Sequence, residues 1–130
     1  MNLKSVYSFA GAAFAALVAA GGLAGCFSER VSITPPTGQE LCTGVAPPNV
    51  VRIQNFSFSP NVLNVARGTT VTFVNCEAGG IQHTSTSDTG LWNSNLLPQY
   101  TTFTRTFDAA GTFPFHCVPH PTMKGTVGVS

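Results

Sequence analysis

Polar and apolar residues alternate along several short stretches of the second half of the chain. Between Thr69 and Asn75, for example, Val71 and Phe73 occupy alternate positions with threonines between them. A period of two residues is typical of strands with one buried face, in which Val, Thr and Phe are frequent. The pattern predicts strands over residues 49–55, 61–66, 69–75, 100–107, 112–117 and 125–130, separated by turns.

No helical periodicity is evident after residue 26, and residues 56–60 read as a turn region. Short strands divided by turn residues favour one all-β domain, a β-sandwich, over residues 49–130. Residues 27–48 include four prolines and no sustained apolar period. We therefore predict that residues 26–48 form a linker that leads into the first strand.

The first 25 residues have the order of features of an export signal. Lys4 precedes an apolar run over residues 6–20, which is short for a spanning helix. The run ends in Leu23-Ala-Gly-Cys26, which resembles a bacterial lipobox and implies a mature chain that begins at a lipid-modified Cys26. An ordinary cleaved signal peptide with an incidental cysteine, or an uncleaved anchor helix, are the alternatives. Each of them places the folded domain outside the cytoplasm, in a compartment such as the periplasm.

The charge of the chain excludes several classes of function. Charged residues make up 8% of the sequence and the formal net charge is +1. No basic stripe is available for nucleic acid, and no strong field steers a charged partner. The sequence also shows no nucleophile–base pair, no paired carboxylates and no phosphate loop, so we do not expect an enzyme.

The chemistry of the chain is concentrated near its C-terminus. Cys117, His120 and Met123 follow one another at intervals of three residues, in a segment that also contains Pro119 and Pro121. A thiolate with imidazoles suits copper, and a thioether is a weak axial donor. The chain has two further histidines. On an extended segment, His116 points away from Cys117, which leaves His83 as the expected fourth ligand.

The segment Phe115-His-Cys-Val-Pro-His-Pro-Thr-Met-Lys-Gly125 resembles the copper loop of cupredoxins, the type 1 blue copper proteins. Its short Cys-x-x-His-x-x-Met spacing is similar to that of amicyanin, whereas plastocyanin has a longer gap between His and Met. Val71-Thr-Phe-Val-Asn75 and Phe107-Asp-Ala-Ala-Gly-Thr112 also match the family pattern. The resemblance implies a Greek-key β-sandwich with one copper ion bound by four residues: His83, Cys117, His120 and Met123.

The same resemblance implies roles around the site. The matching asparagine of the family lies beside the ligand cysteine and joins the two copper loops, so we expect Asn75 to orient the ligands. In relatives the histidine after the cysteine is partly exposed in an apolar patch where redox proteins dock transiently, which maps here to His120. The implied function is a membrane-tethered, monomeric electron carrier. The main alternative is an extracytoplasmic copper chaperone or reservoir, and a metal-free sandwich is a third hypothesis.

Two cysteines remain after lipid and copper are assigned. Cys42 and Cys76 would meet an oxidising compartment in an exported chain, and we expect a disulfide between them. The alternative is that one of the two thiols joins a metal site.

Overall fold

The computed structural model describes residues 34–130, and the predicted export signal and Cys26 lie outside them. Eight strands and one short helix make up this part of the chain. The elements are α1 (Gly38–Thr43), β1 (Val50–Gln54), β2 (Ser57–Ser59), β3 (Val62–Val65), β4 (Thr69–Asn75), β5 (Thr86–Ser87), β6 (Thr102–Phe107), β7 (Gly111–His116) and β8 (Lys124–Val129). Within this region no helix has the length and apolar character that crossing a membrane requires.

The strands form two four-stranded sheets, with strand orders β2-β1-β4-β6 and β3-β8-β7-β5. The pairs β1–β4 and β3–β8 are parallel, and the other neighbours are antiparallel. The predicted all-β sandwich is therefore confirmed. One expected turn is different, because residues 57–59 form the edge strand β2 with Phe58 buried at its centre. The sequence of β2 has one apolar residue between two serines, which is too short to show an alternation of apolar and polar residues.

The core lies between the inner faces of the two sheets, as the alternation predicts. Phe73 of β4 and Phe115 of β7 are almost fully buried and pack edge to face, with ring centroids 5.2 Å apart. Trp92, from the loop between β5 and β6, packs against Phe107 and donates an Nε1–H hydrogen bond to Ser85. Trp92 is thus a packing residue of the core.

Part of the predicted linker is folded. Thr37 and Glu40 form a capping box that starts helix α1: the Glu40 carboxylate accepts from the Thr37 N–H at 2.7 Å, and the Thr37 hydroxyl accepts from the Glu40 N–H at 3.3 Å. Two hydrogen bonds to the carboxylate, from the Thr37 N–H and from the Thr37 hydroxyl, lower the pKa of Glu40. Leu41 is buried against Val50 and Val74. The helix thus covers the outer face of the β1–β4 pair, and the prediction of a linker up to residue 48 was wrong for this segment.

Two further contacts attach α1 to the sandwich. Arg52 of β1 donates hydrogen bonds to the carbonyls of Leu41 and Gly44, which terminate the helix. Cys42 and Cys76 form a disulfide, with their Cα atoms 5.5 Å apart. Cys117 is the free cysteine of the described region, so the structure pairs the thiols as expected and neither of the bonded cysteines is available to a metal.

Candidate metal centre

Cys117, His120 and Met123 lie on the loop between β7 and β8. Two backbone hydrogen bonds close this loop, from the Cys117 N–H to the Met123 carbonyl at 3.1 Å and from the Met123 N–H to the His120 carbonyl at 2.9 Å. Cys117 and Met123 are buried in the core, and His120 is half-buried. The loop therefore directs a thiol, an imidazole and a thioether into one end of the sandwich.

His83 reaches the same end from the loop after β4. Its backbone is held by a bridge to Leu97, with hydrogen bonds of 3.4 and 2.8 Å in the two directions. The side chain has no exposed surface. This burial lowers the pKa of His83, because a charged imidazole loses its hydration, and the nearby His120 lowers it further. Both effects favour the neutral imidazole, which is the form that binds a metal.

Three donor atoms converge between the two loops. The Cys117 Sγ lies 3.6 Å from the His83 Nδ1 and 3.7 Å from the His120 Nδ1, and the two nitrogens are 3.1 Å apart. A triangle with these sides has its centre about 2.0 Å from each corner, close to the roughly 2.0–2.3 Å bonds that imidazole and thiolate form with a metal. The residues thus fit a trigonal two-nitrogen, one-sulfur site. The buried Met123, on the same loop as Cys117 and His120, completes the ligand set as the weak fourth donor.

Thr84 joins the two ligand loops. Its N–H donates to the Cys117 Sγ at 3.3 Å, and its hydroxyl accepts from the Val118 N–H at 2.9 Å. A donor to the sulfur orients the ligand and reduces the electron density on it, so this contact tunes a bound metal. Sequence reasoning missed Thr84, although its position next to His83 was a usable signal.

Asn75 has other partners than those expected. Its amide donates to the carbonyls of Ile81 and Leu97 at 2.9 and 2.8 Å, and its oxygen accepts from the Glu77 N–H at 2.9 Å. Among the described residues, all of its side-chain hydrogen bonds stay on the His83 side of the site. The expectation that Asn75 links the His83 loop to the cysteine loop was therefore wrong. Thr84 makes that link, because it directly follows the ligand His83, while Asn75 orders the loop that carries His83.

Glu77 and Phe56 are also close to the ligands, and the sequence did not single them out. The His83 Nε2 is buried and forms no regular hydrogen bond, but it lies 3.4 Å from the Glu77 Oε2. The Phe56 ring packs against both ligand imidazoles. The sequence offered one signal for Glu77, which is an acidic residue in the loop that leads to the ligand His83. Phe56 had none, because its proximity depends on the turn between β1 and β2.

His116 lies outside the site, as expected for the face opposite to Cys117. Its Nδ1 is 2.5 Å from an Asp88 carboxylate oxygen, and both side chains are partly exposed. This pair connects β7 with the residue after β5 and leaves the four predicted ligands as the metal-binding set.

Comparisons with known proteins agree with this geometry. The sequence pattern of the copper-binding proteins of the plastocyanin/azurin family matches residues 47–130. Amicyanin of Paracoccus denitrificans is 30% identical over 123 residues, covering 88% of this chain and 90% of that protein.

Solved structures are similar as well. A copper(I) form of an amicyanin variant is 29% identical, with a TM-score of 0.60 over 77% of this chain and 95% of that one. A purple cupredoxin from Nitrosopumilus maritimus is 28% identical, with a TM-score of 0.57 over 62% and 98% of the two chains.

The site and the comparisons support the same conclusion. One type 1 copper site is formed by His83, Cys117, His120 and Met123. The similarity to amicyanin over nearly the whole length indicates a small electron carrier and not an enzyme. The chain thus belongs to the plastocyanin/azurin family of copper-binding proteins.

Proposed function

We propose that the protein carries one electron at a time between redox proteins outside the cytoplasm, while a lipid on Cys26 tethers it to a membrane. The observation that carries this proposal is the triangle of Cys117 Sγ, His83 Nδ1 and His120 Nδ1, with sides of 3.1–3.7 Å. Copper bound there supplies the Cu(II)/Cu(I) couple, since this ligand set is that of blue copper sites.

The surroundings of the ligands suit repeated electron transfer. The bridge to Leu97 fixes the backbone of His83, and the Thr84 N–H holds the Cys117 sulfur. Ligands that are held before the metal binds rearrange little when its charge changes, so the barrier to electron exchange stays low. Rigid ligands also favour retention of the metal, which a carrier needs.

The exposed residues around His120 support a docking site for a redox partner. His120 is the half-buried donor of the triangle, while His83 and Cys117 have no exposed surface. Val118, Pro119 and Pro121 are exposed beside it. With a formal net charge of only +1, contact with the partner would be small, apolar and transient, as is usual for redox encounters. We propose that the protein acts as a monomer in these encounters.

Two observations support a location of the domain outside the cytoplasm. A disulfide such as Cys42–Cys76 persists in an oxidising compartment, and the amicyanin similarity also favours an extracytoplasmic protein. The lipid anchor rests on the Leu23-Ala-Gly-Cys26 sequence alone. The mass of the mature protein, purified from a bacterial membrane, tests it: we expect an N-terminus at Cys26 with added acyl chains, and an unmodified N-terminus would reject the anchor.

Electron transfer is tested against copper delivery by cycling the copper-loaded protein. We expect it to survive many rounds of chemical reduction and reoxidation in the presence of a copper(I) chelator, with its copper content unchanged. A chaperone or reservoir would instead transfer copper to the chelator after the first reduction, and that result would reject the carrier function.

A further inference from the structure

Phe56 occupies a backbone position that disfavours it. The β1–β2 hairpin has a two-residue loop, because Gln54 pairs with Ser57, and both loop residues have positive φ angles: 51° for Asn55 and 52° for Phe56. Asparagine adopts this conformation readily, but a bulky aromatic residue seldom does. The favoured sequence for such a turn is Asn-Gly. A strained residue of this kind is a reason to look for a function.

The ring of Phe56 lies against two copper ligands. Its centroid is 5.5 Å from that of His83 and 5.0 Å from that of His120, and the ring planes are inclined by 86° in both pairs. Edge-to-face contacts at these distances are favourable and directional. Since Phe56 itself is 49% exposed, its ring stands between the solvent and the two imidazoles.

Glu77 links the turn between β1 and β2 to the ligand His83. The Phe56 N–H donates to the Glu77 Oε2 at 2.9 Å, and this oxygen lies 3.4 Å from the His83 Nε2. One carboxylate therefore contacts both the strained turn and the far side of a ligand ring. The hairpin cannot move without breaking this connection.

We propose that Phe56 is a positioning residue of the copper site, whose ring fixes the planes of the His83 and His120 imidazoles and keeps water from them. The inference rests on the proposed function and deepens it. Cu(II) gains more than Cu(I) from nearby water because its charge is higher, so a water-excluding ring raises the reduction potential. The same ring slows the release of copper through the half-buried side of the site.

Phe56→Gly is the most informative variant. It removes the ring and also relieves the positive φ, so the fold should be retained and the thermal unfolding temperature of the metal-free protein should not fall. Phe56→Leu keeps apolar cover without an aromatic face. Val62→Ala is the matched control, since Val62 is a similarly exposed apolar residue (56%) on β3 of the other sheet.

Copper release to an excess of chelator and the reduction potential are measured on the copper-loaded full chain. We expect Phe56→Gly to release copper at least tenfold faster, with Phe56→Leu intermediate. The ratio of Cu(I) to Cu(II) affinity should fall about tenfold, which lowers the potential by about 59 mV. Release and potential that match those of the parent protein in folded Phe56→Gly would overturn the proposal.

The metal-free protein gives an independent result. Nuclear magnetic resonance of ¹⁵N-labelled imidazoles should show separate, sharp signals for His83 and His120 in the parent protein and averaged signals in Phe56→Gly. Identical spectra would overturn the positioning role. If the parent protein shows no copper–thiolate absorption, the proposed function fails, but this comparison still decides whether Phe56 orders the two rings.

Discussion

Replacing Cys42 and Cys76 together by serine removes the covalent link between α1 and the residue that follows β4. The disulfide joins cysteines separated by 34 positions in the sequence. By the loop-entropy relation, a closed loop of this length reduces the freedom of the unfolded chain enough to stabilise the folded state by about 4 kcal/mol. For a domain of roughly 100 residues, each kcal/mol corresponds to about 4–8 °C, so we expect the unfolding temperature to fall by about 15–30 °C.

Thermal unfolding of the metal-free protein, followed by circular dichroism, measures this effect without a contribution from copper. The parent protein treated with a reductant should unfold at the temperature of the double variant, and the reductant should leave the variant unchanged. A loss below about 1 kcal/mol would refute the reasoning. It would mean that contacts of Leu41 and Arg52 persist in the unfolded chain and constrain the segment that contains α1 even without the disulfide.

Substitutions at two positions test the hydrogen bonds around the ligands. Thr84→Val leaves the partly buried Val118 N–H without its acceptor, and it should lower the free energy of unfolding in urea by about 1–3 kcal/mol, while Thr84→Ser stays close to the parent protein. Equal stability of Thr84→Val and Thr84→Ser would contradict this role. Asn75→Ala removes three hydrogen bonds from the loop that carries His83, and it should cost about 2–4 kcal/mol and accelerate copper release to a chelator. Unchanged copper release would show that this loop does not depend on Asn75.

The strands could be predicted where apolar residues of the buried face alternate with polar residues of the exposed face. Val71 and Phe73 alternate with threonines, and their strand β4 extends over the predicted residues 69–75. Strand β2 has a single inward residue, Phe58, and a period cannot be read from one position. Helix α1 buries only Leu41, and its six residues depend on the disulfide and on Arg52, which are tertiary contacts. Its capping box was the one local signal.

The ligands could be predicted because their chemistry is rare and their spacing is short. Cys117, His120 and Met123 lie within seven residues, and few other imidazoles were available to complete the set. The residues that support the ligands could not be predicted in this way. Thr84 acts through a backbone N–H and a hydroxyl, groups that are common throughout the chain, and its position next to His83 was its one signal in the sequence. Phe56 acts through its ring, and only its three-dimensional position reveals it.

The central claim is that two nitrogens and two sulfurs surround one copper ion, and the spectrum of the copper-loaded protein tests it most directly. We predict one copper per chain, an intense visible thiolate-to-copper absorption and an electron paramagnetic resonance signal with narrow copper hyperfine splitting. The visible absorption and the narrow hyperfine splitting should both be lost in Cys117→Ser, which removes the thiolate and leaves His83 and His120 in place. Copper that binds at this stoichiometry without the visible band, or a band that survives in Cys117→Ser, would contradict the account.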